Sequence, residues 1–405
     1  MVSKTTTLAL WGLAPFFRQA LAGFLANSQN NIAIYWGQNS ANRPNSQQRL
    51  ASYCTNTAVN IIPIAFLHSI KNPTLVNFAN AGDNCTTFPN SQLLSCPEIE
   101  SDIQFCQSAG KTLLLSLGGA TYTEGGFSTP SEALHWADTL WSMFGPPSPF
   151  SSTPRPFGAA IIDGFDFDFE APTQNMAIFA SRLRTLMDTN PRKRYLLTAA
   201  PQCPYPDHAM DSILQRVPLD FISIQFYNNY CGAPSYISTA AVQNNFNFAT
   251  WDAWAKRAPN PRVKVLLGIP GSPSAAGSGY VSGAQLEGVL AYARRYESFG
   301  GVMMWDFSQV QGNRGVLETV ERGLRGEWAG EGAATRGGGG SGGPGMGMGT
   351  ETGTGTGLAP VPVEGTGAGS VPRWGQCGGK GYEGPTGCQA PYACVHQSEW
   401  WAHCN

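Results

Sequence analysis

The sequence predicts an α/β protein: a (β/α)8 TIM barrel, then a flexible Gly/Thr-rich linker, then a small disulfide-stapled β-rich module. Three observations carry this. Eight short apolar runs alternate with helical patterns from Ile32 to Asp306, which is the rhythm of a parallel barrel. Near Gly326 the composition changes to glycine- and threonine-rich repeats, including Gly337–Gly340, that cannot build a core; Pro360 and Pro362 stiffen the far end. Beyond them Cys377, Cys388, Cys394 and Cys404 crowd a stretch too short to fold without staples.

Taken in order, the strands are predicted at Ile32–Trp36, Asn60–Phe66, Thr112–Ser116, Ile161–Glu170, Tyr195–Ala199, Phe221–Tyr227, Val263–Ile269 and Gly301–Asp306. Helical periodicity fills Glu98–Ser108, Ser131–Met143, Thr173–Asp188 and Ser282–Ser298 between them. A barrel of this kind carries its chemistry at the C-terminal ends of its strands. The residues that close the strands are therefore the candidates. They are Tyr35 and Phe66 after the first two, and Ser116-Leu117-Gly118-Gly119 after the third. Glu170 closes the fourth, Gln225-Phe226-Tyr227-Asn228-Asn229 the sixth and Trp305 the eighth.

The fourth strand is the most informative. From Gly164 to Glu170 it alternates, with Phe165, Phe167 and Phe169 on one face and Asp166, Asp168 and Glu170 on the other. Same-face neighbours lie roughly 6.5–7 Å apart, so three carboxylates in a row repel and at least one holds a proton above its normal range. That arrangement suits chemistry that needs a proton donor beside an anion. A calcium loop would want a turn glycine at its sixth position and ligands on a bend. A solvated edge strand would not place a phenylalanine at every second position.

The chain has 405 residues, a net charge of −2 and only 13% charged residues, so neither nucleic acid nor an anionic membrane is an expected partner. Ten cysteines, an even number, point to disulfides in an oxidising compartment. Lys4 precedes an apolar run from Leu8 to Phe17, and Ala20-Leu21-Ala22 has a small-x-small pattern, so residues 1–22 read as a signal peptide cleaved before Gly23. No later stretch is long and apolar enough to be transmembrane. A secreted, extracellular protein is expected.

Asp163-x-x-Asp166-x-Asp168-x-Glu170 matches the D-x-x-D-x-D-x-E signature of family-18 glycoside hydrolases, and Ser116-Leu117-Gly118-Gly119 matches that family's S-x-G-G motif. The region 23–325 most resembles the class III, hevamine-like chitinases of plants and fungi. The resemblance implies that Glu170 protonates the leaving glycosidic oxygen and that Asp168 orients the substrate acetamide. It also implies that Asp166 shares a proton with Asp168 and that Tyr227 holds the acetamide from the other side. Tyr35, Phe66, Gly118, Gln225, Asn228 and Trp305 would line the substrate cleft. Asp163, of opposite parity, is expected to support the strand instead. Six cysteines of the barrel allow fifteen pairings; the resemblance implies Cys54–Cys106, Cys85–Cys96 and Cys203–Cys231. It further implies non-proline cis peptides at Ala65–Phe66 and Trp305–Asp306, and no cofactor or metal. The interval Pro270–Gly300 holds about a loop and one helix, without room for the domain that processive relatives insert there, so an open, endo-type cleft is expected.

The last stretch, 373–405, resembles the fungal family-1 carbohydrate-binding module through its cysteine spacing and Trp374-Gly375-Gln376-Cys377-Gly378-Gly379. That resemblance implies Cys377–Cys394 and Cys388–Cys404, and a flat face carrying Trp374, Trp400 and Trp401 beside Gln376. Flat rings suit the apolar faces of β-1,4-linked sugars. A zinc site is the other use of four cysteines, but no Cys-x2-Cys pair is present. Whether chitin or cellulose is preferred stays open, since Ser398 stands where the family usually has asparagine.

The expected function is a monomeric, secreted endochitinase that hydrolyses β-1,4 linkages of N-acetylglucosamine polymers by substrate-assisted retention. Its partners are chitin and chito-oligosaccharides, plus an insoluble polysaccharide surface held by the C-terminal module. The alternatives are a non-catalytic chitin-binding lectin or glycosidase-inhibitor-like protein on the same barrel, and an endo-β-N-acetylglucosaminidase acting on N-glycans.

Overall fold

Eight apolar strands form in the predicted order. They are β1 (Asn31–Ile34), β2 (Ile61–Ser69), β3 (Thr112–Gly118), β4 (Gly164–Asp168), β5 (Leu196–Ala199), β6 (Phe221–Gln225), β7 (Lys264–Pro270) and β8 (Phe299–Trp305). The computed structural model describes residues 23–328 other than Asn72 and Arg192, together with 371, 376–378, 385–398 and 401–404. The expected signal peptide (1–22) and most of the expected linker lie outside the described residues. Neighbouring strands pair in parallel all the way round, and β1 bonds both to β8 and to β2, which closes the barrel.

The helices α1 (Leu50–Cys54), α2 (Pro97–Ser108), α3 (Pro130–Phe144) and α4 (Met176–Asp188) follow the first four strands. After β5, β6 and β7 come α5 (Asp211–Leu214), α6 (Phe248–Ala255) and α7 (Gly283–Ala293), and after β8 both α8 (Phe307–Gly312) and α9 (Arg314–Arg325). Local chemistry explains their ends. Thr129 caps α3 by accepting from the Glu132 N–H, with Pro130 at the first helical position, and Gly326 ends α9 in the left-handed region.

The alternation of β4 divides the molecule. Phe165, Phe167 and Phe169 are almost fully buried and join the large apolar shell between strands and helices. Burial of each ring contributes about 1.5–3 kcal/mol, which fixes the strand's parity: a one-residue slip would put three carboxylates into that shell. A second, smaller cluster fills the barrel interior and includes Ala33, Tyr35, Ile61, Phe66, Leu114 and Met303.

Most predicted bounds shift by a residue or more, and β1, β4 and α7 show how. β1 ends at Ile34, because Trp36 leaves β8 and bridges Ile64 of β2 instead. β4 begins at Gly164, with Asp163 beneath it: its carboxylate accepts from the Leu113 N–H and the Gln107 amide and pairs with Lys193 at 2.7 Å. That is the supporting role its parity implied. α7 stops at Ala293, short of Ser298.

Cys54–Cys106 joins α1 to α2, Cys85–Cys96 closes the loop before α2, and Cys203–Cys231 ties the loops that follow β5 and β6. Between β7 and β8 there is only a loop and α7. In the C-terminal segment β9 (Gln376–Gly378), β10 (Cys394–Ser398) and β11 (Trp401–Cys404) form an antiparallel sheet with β11 central, stapled by Cys377–Cys394 and Cys388–Cys404.

Candidate active site

Register builds the site. Ser116 of β3, Asp166 of β4 and Thr198 of β5 are side by side in the parallel ladder, so their side chains point together into the barrel. Asp166 is 1% exposed. Its Oδ2 accepts from the Tyr35 hydroxyl at 2.6 Å and from Ser116 Oγ at 2.8 Å, and its Oδ1 accepts from Thr198 Oγ1 at 2.7 Å. Burial pushes this carboxyl up, and the three hydroxyls pull it back by serving the charged form. Tyr35 was expected to line the cleft; its ring is buried, and its hydroxyl is spent on Asp166.

One step toward the mouth, Asp168 is buried and accepts from Gln225 Nε2 at 2.9 Å, while the same amide nitrogen reaches the Ala200 carbonyl. The hydrogen bond of Asp168 thus goes to Gln225, and no Asp166–Asp168 hydrogen bond occurs among the described residues. Burial raises Asp168 well above the usual carboxylate range, and Glu170, Asp166 and Asp207 add to it; Gln225 opposes them. Glu170 follows β4 and stands open at the barrel mouth. Its carboxyl is pushed up by the surrounding protein and then by Asp207, an effect that its own exposure to water moderates.

Backbone approach explains the glycines after β3. Gly118 has φ +109°, and a Cβ there would lie 2.5 Å from the Asp168 carbonyl oxygen; Gly119, at φ +80°, would meet the Phe66 ring at 2.8 Å. The Gly119 N–H donates to that same Asp168 carbonyl at 2.7 Å. Two glycines therefore let Phe66 and the end of β4 close up together.

Phe66 stacks on Trp305 with centroids 5.8 Å apart, and Tyr35 lies 5.5 Å from Trp305, forming an aromatic floor. Both expected non-proline cis peptides, Ala65–Phe66 and Trp305–Asp306, are present and sit in this floor. Tyr227 is buried, and burial followed by Asp168, Glu170 and Asp166 holds its phenol well up, leaving it a neutral donor. Asn228 is exposed, and its Oδ1 accepts from the Ser278 N–H. In the C-terminal module Gln376 opens β9 and Trp401 opens β11. Trp374 and Trp400 lie outside the described residues.

Sequence reading missed two residues of this arrangement and the role of a third. Thr198 looks like an ordinary strand residue until register aligns it with Asp166, and Ser116, singled out only as part of the S-x-G-G motif, donates to the same carboxylate. Asp207, in the loop after β5, is buried and adds a fourth carboxylate to the field at Asp168 and Glu170, with no spacing signal to announce it.

The family model for glycosyl hydrolases family 18 matches residues 31–294, and the model for the fungal cellulose binding domain matches residues 373–401. Endochitinase 33 of Trichoderma harzianum is 51% identical over 326 residues, covering 80% of this chain and 100% of that protein. A class III chitinase of Arthroderma benhamiae is 44% identical over 330 residues, covering 80% of this chain and 94% of that protein. Among solved structures, a xylanase and alpha-amylase inhibitor protein from Scadoxus multiflorus is similar with a TM-score of 0.58 at 28% identity, covering 74% of this chain and 99% of that one. One barrel thus serves enzymes and inhibitors alike, and the side chains at its mouth must decide between them. With more than half of its length in the family model and 51% identity to a relative that it covers in full, the chain belongs to family 18 of the glycosyl hydrolases, with a fungal cellulose-binding domain at its C-terminus.

Proposed function

We propose that the barrel is an endo-acting chitinase that cleaves β-1,4 linkages between N-acetylglucosamine residues with retention of configuration, using the substrate's own acetamide as nucleophile. The observation that carries this reading is the intact row of carboxylates on one face of β4, buried at Asp166 and Asp168 and open at Glu170. In the row, protons are graded. Asp166, served by three hydroxyls, is the natural anion, while burial and like charge favour the proton on Asp168 and on Glu170. Asp166 and Asp168 are treated as a pair that holds one proton.

Glu170 gives its proton to the glycosidic oxygen. The acetamide oxygen, tethered near the anomeric carbon at high effective concentration, displaces the leaving group to form an oxazolinium. Asp168 orients the acetamide N–H, the charge of the Asp166–Asp168 pair favours the developing cation, and Tyr227 donates from the other side. Water, deprotonated by Glu170, then opens the ring from the face the leaving group vacated. The aromatic floor of Trp305 and Phe66 gives the sugar a stacking surface.

The single loop and helix between β7 and β8 favour an open cleft and internal cuts. The C-terminal module holds the enzyme on an insoluble polysaccharide, chitin or cellulose, with Trp374, Trp400 and Trp401 as the aromatic residues assigned to sugar binding. Five disulfides fit a secreted, extracellular life for a monomer. Incubation with colloidal chitin should release soluble dimers and trimers. A lectin or inhibitor would bind and release nothing, and an endo-β-N-acetylglucosaminidase would instead strip glycans from N-glycoproteins.

A further inference from the structure

Glu170 stands past the end of its strand. The ladder of β4 with β3 reaches Asp168, and that with β5 reaches Phe167, so sheet pairing does not hold the acid itself. The loop between β3 and α3 brackets the segment instead, on both sides of Glu170. On one side the Gly119 N–H donates to the Asp168 carbonyl at 2.7 Å. On the other, the Gln174 N–H donates to the Gly125 carbonyl and the Phe127 N–H to the Gln174 carbonyl, both at 2.9 Å. Gly126 and Gln174 thus form a parallel bridge. The approach is close: Gly126 has φ +82°, and a Cβ there would lie 2.3 Å from the Gln174 carbonyl oxygen.

One side chain spans this bracket. Tyr122 is 4% exposed, and its N–H donates to the Gly119 carbonyl at 3.0 Å. Its ring meets the ring of Phe169 edge-on, with centroids 4.9 Å apart, and its hydroxyl accepts from the Gly126 N–H at 3.2 Å. Phe169, itself buried, is the residue directly before Glu170. The loop is also anchored away from β4. Two residues after Tyr122, the Glu124 carboxylate accepts from the N–H groups of Ile70 and Lys71, just past β2, at 2.6 and 3.0 Å.

We infer that Tyr122 is a positioning residue of the reaction: a strut from Gly119 to Gly126 that holds the Phe169 ring, and with it the segment from which Glu170 delivers its proton. The inference rests on the chitinase reading and adds a residue that acts through the acid without touching substrate. An acid works only within hydrogen-bond reach of the leaving oxygen, and a small displacement costs a large factor in rate.

The test compares kcat/KM of the full chain on two substrates that differ in their need for that proton. The sugar released from chitotetraose needs it, whereas the phenolate released from para-nitrophenyl chitobioside leaves with little help. Tyr122→Leu should lose about tenfold or more on chitotetraose and about threefold or less on the aryl glycoside. Tyr122→Phe keeps the ring but takes from the Gly126 N–H its acceptor. It should show the same preference with a smaller gap, and it decides the matter if Tyr122→Leu does not fold. Equal loss on both substrates, or no loss on chitotetraose, would overturn this inference alone. Wild type that cuts neither substrate would overturn the functional reading and this inference with it.

Discussion

Removing a single hydroxyl from the barrel interior, by Thr198→Val, should move the acid limb of the pH–activity profile upward. The two oxygens of Asp166 are not equally served. Oδ2 accepts from both Tyr35 and Ser116, whereas Oδ1 accepts from Thr198. Valine keeps nearly the same shape at this fully buried position, so packing changes little while Oδ1 loses that donor. A hydrogen bond to a charged group contributes about 1.5–3 kcal/mol, and each pH unit corresponds to about 1.4 kcal/mol. Burial already raises Asp166 and the hydroxyls lower it, so deleting one raises it further. The lower pKa of the Asp166–Asp168 pair, and with it the acid limb, should rise by about one to two pH units. Tyr35→Phe should move the limb less, because Ser116 still serves Oδ2. The assay is initial rate on chitotetraose from pH 2 to 8, in buffers of constant ionic strength. An unmoved limb with a uniform loss of rate, or a larger shift in Tyr35→Phe than in Thr198→Val, would refute the reasoning.

Three further outcomes follow from the same geometry. Glu170→Gln should keep the fold and the binding of chito-oligosaccharides, measured by calorimetry, and lose cleavage by a factor of about a thousand or more; residual turnover near wild type would contradict its role as acid. Gly118→Ala forces a Cβ to within 2.5 Å of the Asp168 carbonyl at φ +109°. It should cost about 1–3 kcal/mol in thermal unfolding and reduce turnover together, so an unchanged enzyme would show that this approach does not position β4. Deleting residues 373–405 should leave hydrolysis of soluble oligomers unchanged and weaken action on insoluble chitin, since the module raises local concentration without touching the chemistry. Equal loss on both substrates would mean that the module supports the barrel.

What the sequence made legible was periodic. The two-residue alternation from Gly164 to Glu170 revealed both faces of β4, because three phenylalanines can be buried together only if the carboxylates face inward. The same logic placed Asp163 outside the row. What stayed hidden was register. Tyr35 reaches Asp166 from 131 residues away, and Thr198 from 32, through barrel closure that no local pattern encodes. The place of Tyr35 after β1 points to the cleft, and only closure reveals that its hydroxyl donates to Asp166. Gln225 is expected at the cleft from its place on β6, and register is what brings its amide onto Asp168 and the Ala200 carbonyl. Asp207 follows the cis proline Pro206 in an irregular loop, where spacing carries no information about the site it faces. The C-terminal module is legible through its cysteine spacing and the Trp374–Gly379 motif, since staples constrain a small fold more tightly than its few apolar residues do.

The central claim is that the acetamide of the substrate, and no carboxylate of the protein, attacks the anomeric carbon. Asp168 is the nearest acidic neighbour of Glu170 on β4, and a group on that same strand cannot reach the opposite face of the sugar ring. The direct test is proton NMR of chitotetraose during the first turnovers, before mutarotation, with a parallel substrate lacking the N-acetyl group at the cleaved sugar. The account predicts fresh β-anomer from the first substrate and no cleavage of the second. A burst of α-anomer, or equal rates on both substrates, would contradict it.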